Sequence, residues 1–175
     1  MKKLLLLSVF IIISCTTYKT PKTNEQKPDD VAAVNKFMDD WHRAAANADY
    51  DTYFDKIADN GKFIGTDANE NWSKEAFIAF AKPYFDKGKA WDFTPLERNI
   101  YFSKDGSVVW FDELLDTWMK VCRGSGVLVK ENGVWKIKQY ILSMTVPNEV
   151  TKEVIPLKAG YDKDFTEKLN AAKKQ

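Results

Sequence analysis

The feature that most constrains this chain is a change of hydrophobic period at Lys87-Gly88. Before it, apolar residues recur every three or four positions. After it, long runs rich in β-branched and aromatic residues alternate with short polar turns. The first pattern belongs to amphipathic helices and the second to strands, so the chain must set a group of helices against a sheet drawn mostly from its second half. The first helical stripe is Val31, Val34, Phe37, Met38, Trp41, Ala44, Ala45 and Ala48, with Asp29 and Asp30 placed to cap its N-terminus. Asp49 caps a short second helix in DYDTYFDKIA, which Asn60-Gly61 should break. Residues 62–65 read as a short strand entering a loop at 66–72. Ser73 then caps a third helix with Phe77, Phe80, Ala81, Tyr84 and Phe85 on one side, and Pro83 predicts a kink or an early end.

Four strands follow, at 90–102, 108–119, 121–130 and 134–146, with hairpin turns at Lys104-Asp105-Gly106 and Glu131-Asn132-Gly133. The turn joining the second and third strands carries no clear signal. Gly124-Ser125-Gly126 marks either a bulge or a close backbone approach. The expected fold class is therefore α+β, with helices packed on one face of a curved antiparallel sheet. A tail, residues 150–175, is expected to pack on the domain as an appendage, with a short extended piece at 154–157 and a polar helix from Asp162.

The N-terminus supplies an address. MKKLLLLSVFIIISC has a basic start, a largely apolar run at 4–13, then Ser14 and Cys15. A helix crossing a bilayer needs about 20 apolar residues. This run is shorter and reads as a signal peptide over residues 1–14. The junction Ile12-Ile13-Ser14-Cys15 resembles the bacterial lipobox, in which cleavage precedes a cysteine that carries the lipid. An ordinary signal peptide or an uncleaved anchor is the plainer alternative. Lipidation at Cys15 would tether the mature chain to a membrane, each buried methylene contributing about 0.8 kcal/mol. The expected location is the cell envelope, facing the periplasm or the outside. Residues 15–30 are polar, with Pro21 and Pro28, and read as a flexible tether. Residues 31–149 are the size of one domain.

Composition narrows the function classes. The 26 Lys and Arg balance 25 Asp and Glu, and no basic stripe interleaves with aromatics, which argues against a nucleic-acid partner. With Cys15 processed, Cys122 is the only remaining thiol, so no intramolecular disulfide is expected. His42 is the only histidine, which leaves too few His and Cys ligands for a zinc site and no histidine but His42 for a Ser-His-Asp relay. No metal or cofactor is expected. The core must hold the fold, and six Trp, seven Tyr and eleven Phe are available to build it.

Several segments resemble one family. Phe63-Ile64-Gly65-Thr66-Asp67 with Glu70 and Trp72, then Trp110-Phe111-Asp112-Glu113, Arg123-Gly124-Ser125-Gly126, Trp135-Lys136-Ile137 and Pro147-Asn148-Glu149, are similar in order and spacing to the SnoaL-like branch of the nuclear transport factor 2-like superfamily. The resemblance implies a cone-shaped fold: a strongly bent sheet wrapped around about three helices, enclosing a pocket, with the outer sheet face pairing with a second copy as a homodimer. Members include ketosteroid isomerases, dehydratases, polyketide cyclases and proteins without a known activity, so the fold is a poor guide to chemistry.

Candidate residues follow from position. Asp112 and Glu113 are adjacent in a strand, so only one can face the concave side. Two flanking tryptophans, Trp110 and Trp118, favour Asp112, whose burial would raise its pKa and suit it to act as a general base. The plainer reading pairs Asp112 or Glu113 with Arg123 or a lysine. His42 could pair with Asp112 in an acid–base dyad, or simply sit half exposed on the helix edge. Asp67 either faces a ligand or fixes its turn. The resemblance implies a polar residue near Ile141, and the aliphatic residue there favours an apolar lining with Trp41, Tyr53, Phe63, Trp110, Tyr140 and Ile141 as wall residues. Two functions stay open: a lipid-anchored module binding a small, largely apolar molecule, or a cofactor-free lyase or isomerase using a buried carboxylate with Tyr140 or Tyr53 as donor.

Overall fold

The computed structural model describes residues 28–174. The expected signal peptide at 1–14, Cys15 and nearly all of the expected tether lie outside the described residues. The first helix, α1, runs Pro28–Ala46, so Asp29 and Asp30 fall inside its first turn instead of ahead of it. It ends before Ala48, which takes the left-handed conformation at φ 53°. The Ala48 amide donates to the Ala45 carbonyl at 3.0 Å and the Asp49 amide to Ala44 at 2.8 Å, a Schellman closure with alanine where glycine is usual. Asp49 then caps α2 (Tyr50–Asp55) by accepting from the Thr52 amide.

Strand β1 (Ile57–Ile64) is longer than the sequence suggests and runs through Asn60-Gly61. Gly61 is there for close approach: a Cβ would lie 2.8 Å from the Ala58 carbonyl and 2.9 Å from that of Ile137. A three-residue strand, β2 (Asn71–Ser73), pairs antiparallel with β1 where a loop is expected. Ser73 caps α3 (Lys74–Asp86), which carries on past Pro83. Then come β3 (Thr94–Phe102), β4 (Val108–Thr117), β5 (Lys120–Glu131) and β6 (Val134–Met144). Trp118-Met119 forms the turn between β4 and β5, with Lys120 beyond it at φ 71°.

The six strands form one sheet in the order β2-β1-β6-β5-β4-β3. All neighbours are antiparallel except β1 and β6, which run parallel. The β4–β5 register is unbroken across Gly124-Ser125-Gly126, and a shift in the β5–β6 pairing follows at Val127/Leu128. The glycines themselves serve close approach, since a Cβ on Gly126 would sit 2.6 Å from the Gln139 carbonyl. One face of the bent sheet closes over α1, α2 and α3. The core between them is aromatic, with Phe63 stacked on Phe77 at 3.9 Å and Trp41 on Tyr53 at 4.9 Å. Burying one such large apolar side chain contributes about 1.5–3 kcal/mol. Every buried hydrophobic residue among those described lies between Val34 and Leu142, so the described core falls wholly within residues 28–174.

The tail differs from expectation. After a short 3-10 turn at Asn148–Val150, a continuous helix, α4 (Thr151–Ala172), takes in the stretch expected to be extended. None of its residues is buried, so it is only loosely attached to the domain. Among the described residues no helix is long and apolar enough to cross a membrane.

Candidate functional site

The most unusual side chain on the concave face is Glu113. Strand alternation on β4 sends Val109, Phe111, Glu113, Leu115 and Thr117 inward, all of them buried. Glu113 is opposite Gly124 on β5, and the missing side chain makes room for its carboxylate. A Cβ on Gly124 would lie 2.3 Å from the Tyr140 hydroxyl and 2.9 Å from Glu113. Oε1 of Glu113 accepts from the Tyr140 hydroxyl at 2.8 Å and lies 2.9 Å from His42 Nε2. Facing that acceptor, Nε2 carries the proton. Oε2 accepts from Arg98 Nε at 2.9 Å, and Arg98 Nη2 is 2.8 Å away. Arg98 in turn donates through Nη1 to Asp39 Oδ1 at 2.9 Å and to Asn35 Oδ1 at 3.0 Å.

Both oxygens of this carboxylate are therefore engaged by donors. Burial pushes the Glu113 pKa up, but the His42 hydrogen bond, the charge of Arg98 and the Tyr140 hydroxyl outweigh it and hold the carboxyl below its ordinary value. Burial and the neighbouring carboxylate push the Tyr140 phenol well above its ordinary value, so it remains a protonated donor. A carboxylate held this way is a weak base at neutral pH. It is well suited to orienting His42, Tyr140 and Arg98.

A separate aromatic cleft of about 230 Å³ opens at one end of the helix–sheet sandwich. Its walls include Phe63 of β1, Trp72 of β2, Phe77, Phe80 and Tyr84 of α3, Trp91 and Phe93 of the α3–β3 linker, Leu142 of β6, the Trp118-Met119 turn, and Glu70 of the β1–β2 turn. Trp72 stacks on Phe80 at 4.5 Å. Phe80, Tyr84 and Trp118 are 41%, 44% and 80% exposed, so ring surface faces the opening. His42, with Asp39, Arg43 and Pro95, borders a second, more open cleft of about 360 Å³, and Phe93 lines both. Among the described residues no group of His, Cys, Asp and Glu side chains is arranged to hold a metal ion.

The profile of the SnoaL-like domain family matches residues 34–147. The chain belongs to this family. No curated protein sequence matches it significantly. Solved structures similar to the SnoaL-like domain include a proposed aromatic ring hydroxylase from Novosphingobium aromaticivorans, at 13% identity and TM-score 0.59, covering 70% of this chain and 94% of that one. An NTF2-like protein from Cytophaga hutchinsonii is 19% identical with TM-score 0.55, over 68% of this chain and 99% of that one. A proposed scytalone dehydratase from N. aromaticivorans is 12% identical with TM-score 0.55, over 67% and 85%. At these identities the likeness establishes the nuclear transport factor 2-like fold and nothing about chemistry.

Within the SnoaL-like domain the expected site residues separate into four groups. His42, Trp41, Tyr53 and Tyr140 are buried among the helices and the concave face, and His42 is enclosed instead of half exposed. Phe63 alone of the expected wall residues lines the aromatic cleft. Asp112 faces the convex side, where its partner is Asn99 Nδ2 at 3.2 Å, so the pairing expected with His42 is made by Glu113. Trp110, 48% exposed, and Arg123 share that convex face. Asp67 is exposed and closes its own turn, accepting from the Asn69 amide at 2.8 Å, while Ile141 borders an open groove beside α4. Sequence reasoning missed Arg98 and Asp39, and it missed the cleft-lining rings of Trp72, Phe77, Phe80, Tyr84, Trp91, Phe93 and Trp118. The wholly apolar company of Glu113 on its face, Val109, Phe111 and Leu115, was the available signal for its burial; the tryptophans beside Asp112 have large amphipathic rings that tolerate an exposed face.

Proposed function

We propose that this SnoaL-like domain binds a small, largely apolar molecule in the aromatic cleft, and that a lipid on Cys15 holds the exported chain at the cell envelope. One observation carries the binding reading. The buried Glu113, His42, Tyr140 and Arg98 are absent from the lining of the cleft, whose walls are mostly aromatic and aliphatic, with Glu70 the one charged side chain. Pockets of this composition gain affinity from apolar burial and use few polar groups for orientation.

Native mass spectrometry of residues 28–175, expressed in a bacterial periplasm, tests the reading. Co-purifying small-molecule mass that Phe80→Ala and Trp118→Ala both reduce is the expected result. A bare chain mass, with no change in tryptophan emission across a panel of apolar probes, overturns it. For the anchor, the mass of the full chain from a membrane fraction should include acyl chains on Cys15, and Cys15→Ser should release the protein from that fraction. An unmodified Cys15 would refute the anchor.

The 2.9 Å contact between His42 and Glu113 beside the second cleft supports a second reading, a cofactor-free lyase or isomerase with His42 as the exchanging group. Its requirement is turnover that His42→Ala abolishes while the fold persists. The convex sheet face, where Tyr101 and Trp110 stack at 6.0 Å and remain 41% and 48% exposed, supports pairing with a second copy. Light scattering should then give twice the chain mass, and Trp110→Lys should halve it.

A further inference from the structure

The aromatic cleft carries a single charged side chain, and it is negative. Glu70 stands at the cleft wall in the β1–β2 turn, and no Lys, Arg or His is among the residues lining the cleft. We propose that the cleft selects a cationic ligand, a tertiary or quaternary organic ammonium with an apolar or aromatic body, over neutral or anionic molecules of the same shape. The inference rests on the aromatic cleft being the binding site.

Three features point to a cation. The face of an aromatic ring is negative, so a cation over it is attracted, most strongly over tryptophan. Phe80, Tyr84 and Trp118 keep 41%, 44% and 80% of their surface open and line this cleft, with Trp72 beside them stacked on Phe80 at 4.5 Å. Alkylated ammonium groups lose less hydration than a primary ammonium on entering such a site, while still satisfying the ring faces.

The carboxylate is held in place. Glu70 Oε2 accepts from the Asp67 amide at 3.1 Å, and the Gly65 amide donates to the Glu70 carbonyl at 2.9 Å. A Cβ on Gly65 would lie 2.1 Å from that same Oε2, so the carboxylate reaches over the turn only because residue 65 is glycine. The other oxygen, Oε1, takes no hydrogen bond among the described residues. An anion would meet this charge with no compensating base in the lining.

The test compares phenyltrimethylammonium with tert-butylbenzene, which has the same shape with carbon in place of the charged nitrogen. Both are titrated against residues 28–175 by tryptophan emission, since Trp72, Trp91 and Trp118 line the cleft. The cation should bind about tenfold more tightly than its neutral isostere. Glu70→Gln, which preserves an acceptor for the Asp67 amide, should remove most of that preference and leave the neutral affinity unchanged. Trp118→Ala, at an exposed position, should weaken the cation without affecting the fold. Equal binding of the two probes, or an unchanged cation affinity in Glu70→Gln, overturns the charge selectivity while the cleft still binds. Failure of phenyltrimethylammonium to bind at millimolar concentration, and of tert-butylbenzene up to its solubility limit, overturns the cleft as a binding site together with this inference.

Discussion

Glu113→Gln should be among the most damaging conservative substitutions in this protein. The wild-type carboxylate, fully shielded from solvent, receives Arg98 on one oxygen and both His42 and Tyr140 on the other. Glutamine offers one acceptor oxygen and two N–H donors. If its oxygen serves His42 and Tyr140, its amide nitrogen faces Arg98, donor against donor; if it is flipped, His42 and Tyr140 lose their acceptor. Removing one partner of a buried ion pair costs about 3–5 kcal/mol, and in a domain of this size each kcal/mol lowers the melting temperature by roughly 2–4 °C. The expected loss is therefore roughly 6–20 °C at neutral pH, read by circular dichroism.

The pH dependence gives a second, independent readout. The folded-state pKa of Glu113 lies below its ordinary value of 4.5, so the group contributes stability above that value and loses it as pH falls through the folded pKa. Wild type should lose stability on acidification below about pH 4.5, and the variant should lose less over that window. Asp105, held down to about 2 first by Ser103 and then by Ser107, titrates in the acid range in both proteins, so their difference isolates Glu113. Arg98→Met should cost a comparable amount. The double variant should lose clearly less than the sum, because the second change removes a charge already stranded by the first. A Glu113→Gln protein melting within 2 °C of wild type, with the same acid slope, would refute the reasoning.

Four further outcomes follow from the geometry. Gly124→Ala should destabilise by about 1–3 kcal/mol in a urea titration, since its Cβ would displace the Tyr140 hydroxyl and the Glu113 side chain. Asp112→Asn should change stability by less than about 0.5 kcal/mol, because Asp112 faces away from the cluster; a large loss would contradict its convex placement. Ala48→Gly should stabilise by about 0.5–1 kcal/mol at the left-handed closure of α1, measured by the urea midpoint. Ending the chain at residue 150 removes α4, which buries no side chain, and should leave the melting temperature unchanged within a few degrees.

Much of this architecture follows from local pattern. The stripe from Val34 to Ala45, the caps at Asp49 and Ser73, and the alternation in β4 to β6 specify helices and strands nearly where they occur, because each depends on neighbours within a turn or a hairpin. β1 and β2 were less legible. The first joins β6 across 77–80 residues of chain, in parallel and with a register shift, and such pairing leaves little periodic trace around Asn60-Gly61. α4 was misread because Pro156 and scattered polar residues weaken its pattern.

The candidate site divides the same way. The sequence by itself determined that His42 is the sole histidine, that one of Asp112 and Glu113 must face inward, and that aromatics would dominate the interior. Which carboxylate turns inward is decided only by tertiary structure: Gly124 opposite Glu113 makes the space, and Arg98, arriving from β3, compensates the buried charge. The cleft is likewise assembled from β1, β2, α3, the α3–β3 linker, the β4–β5 turn and β6. No local pattern encodes it, because its walls become neighbours only after the sheet has bent around the helices.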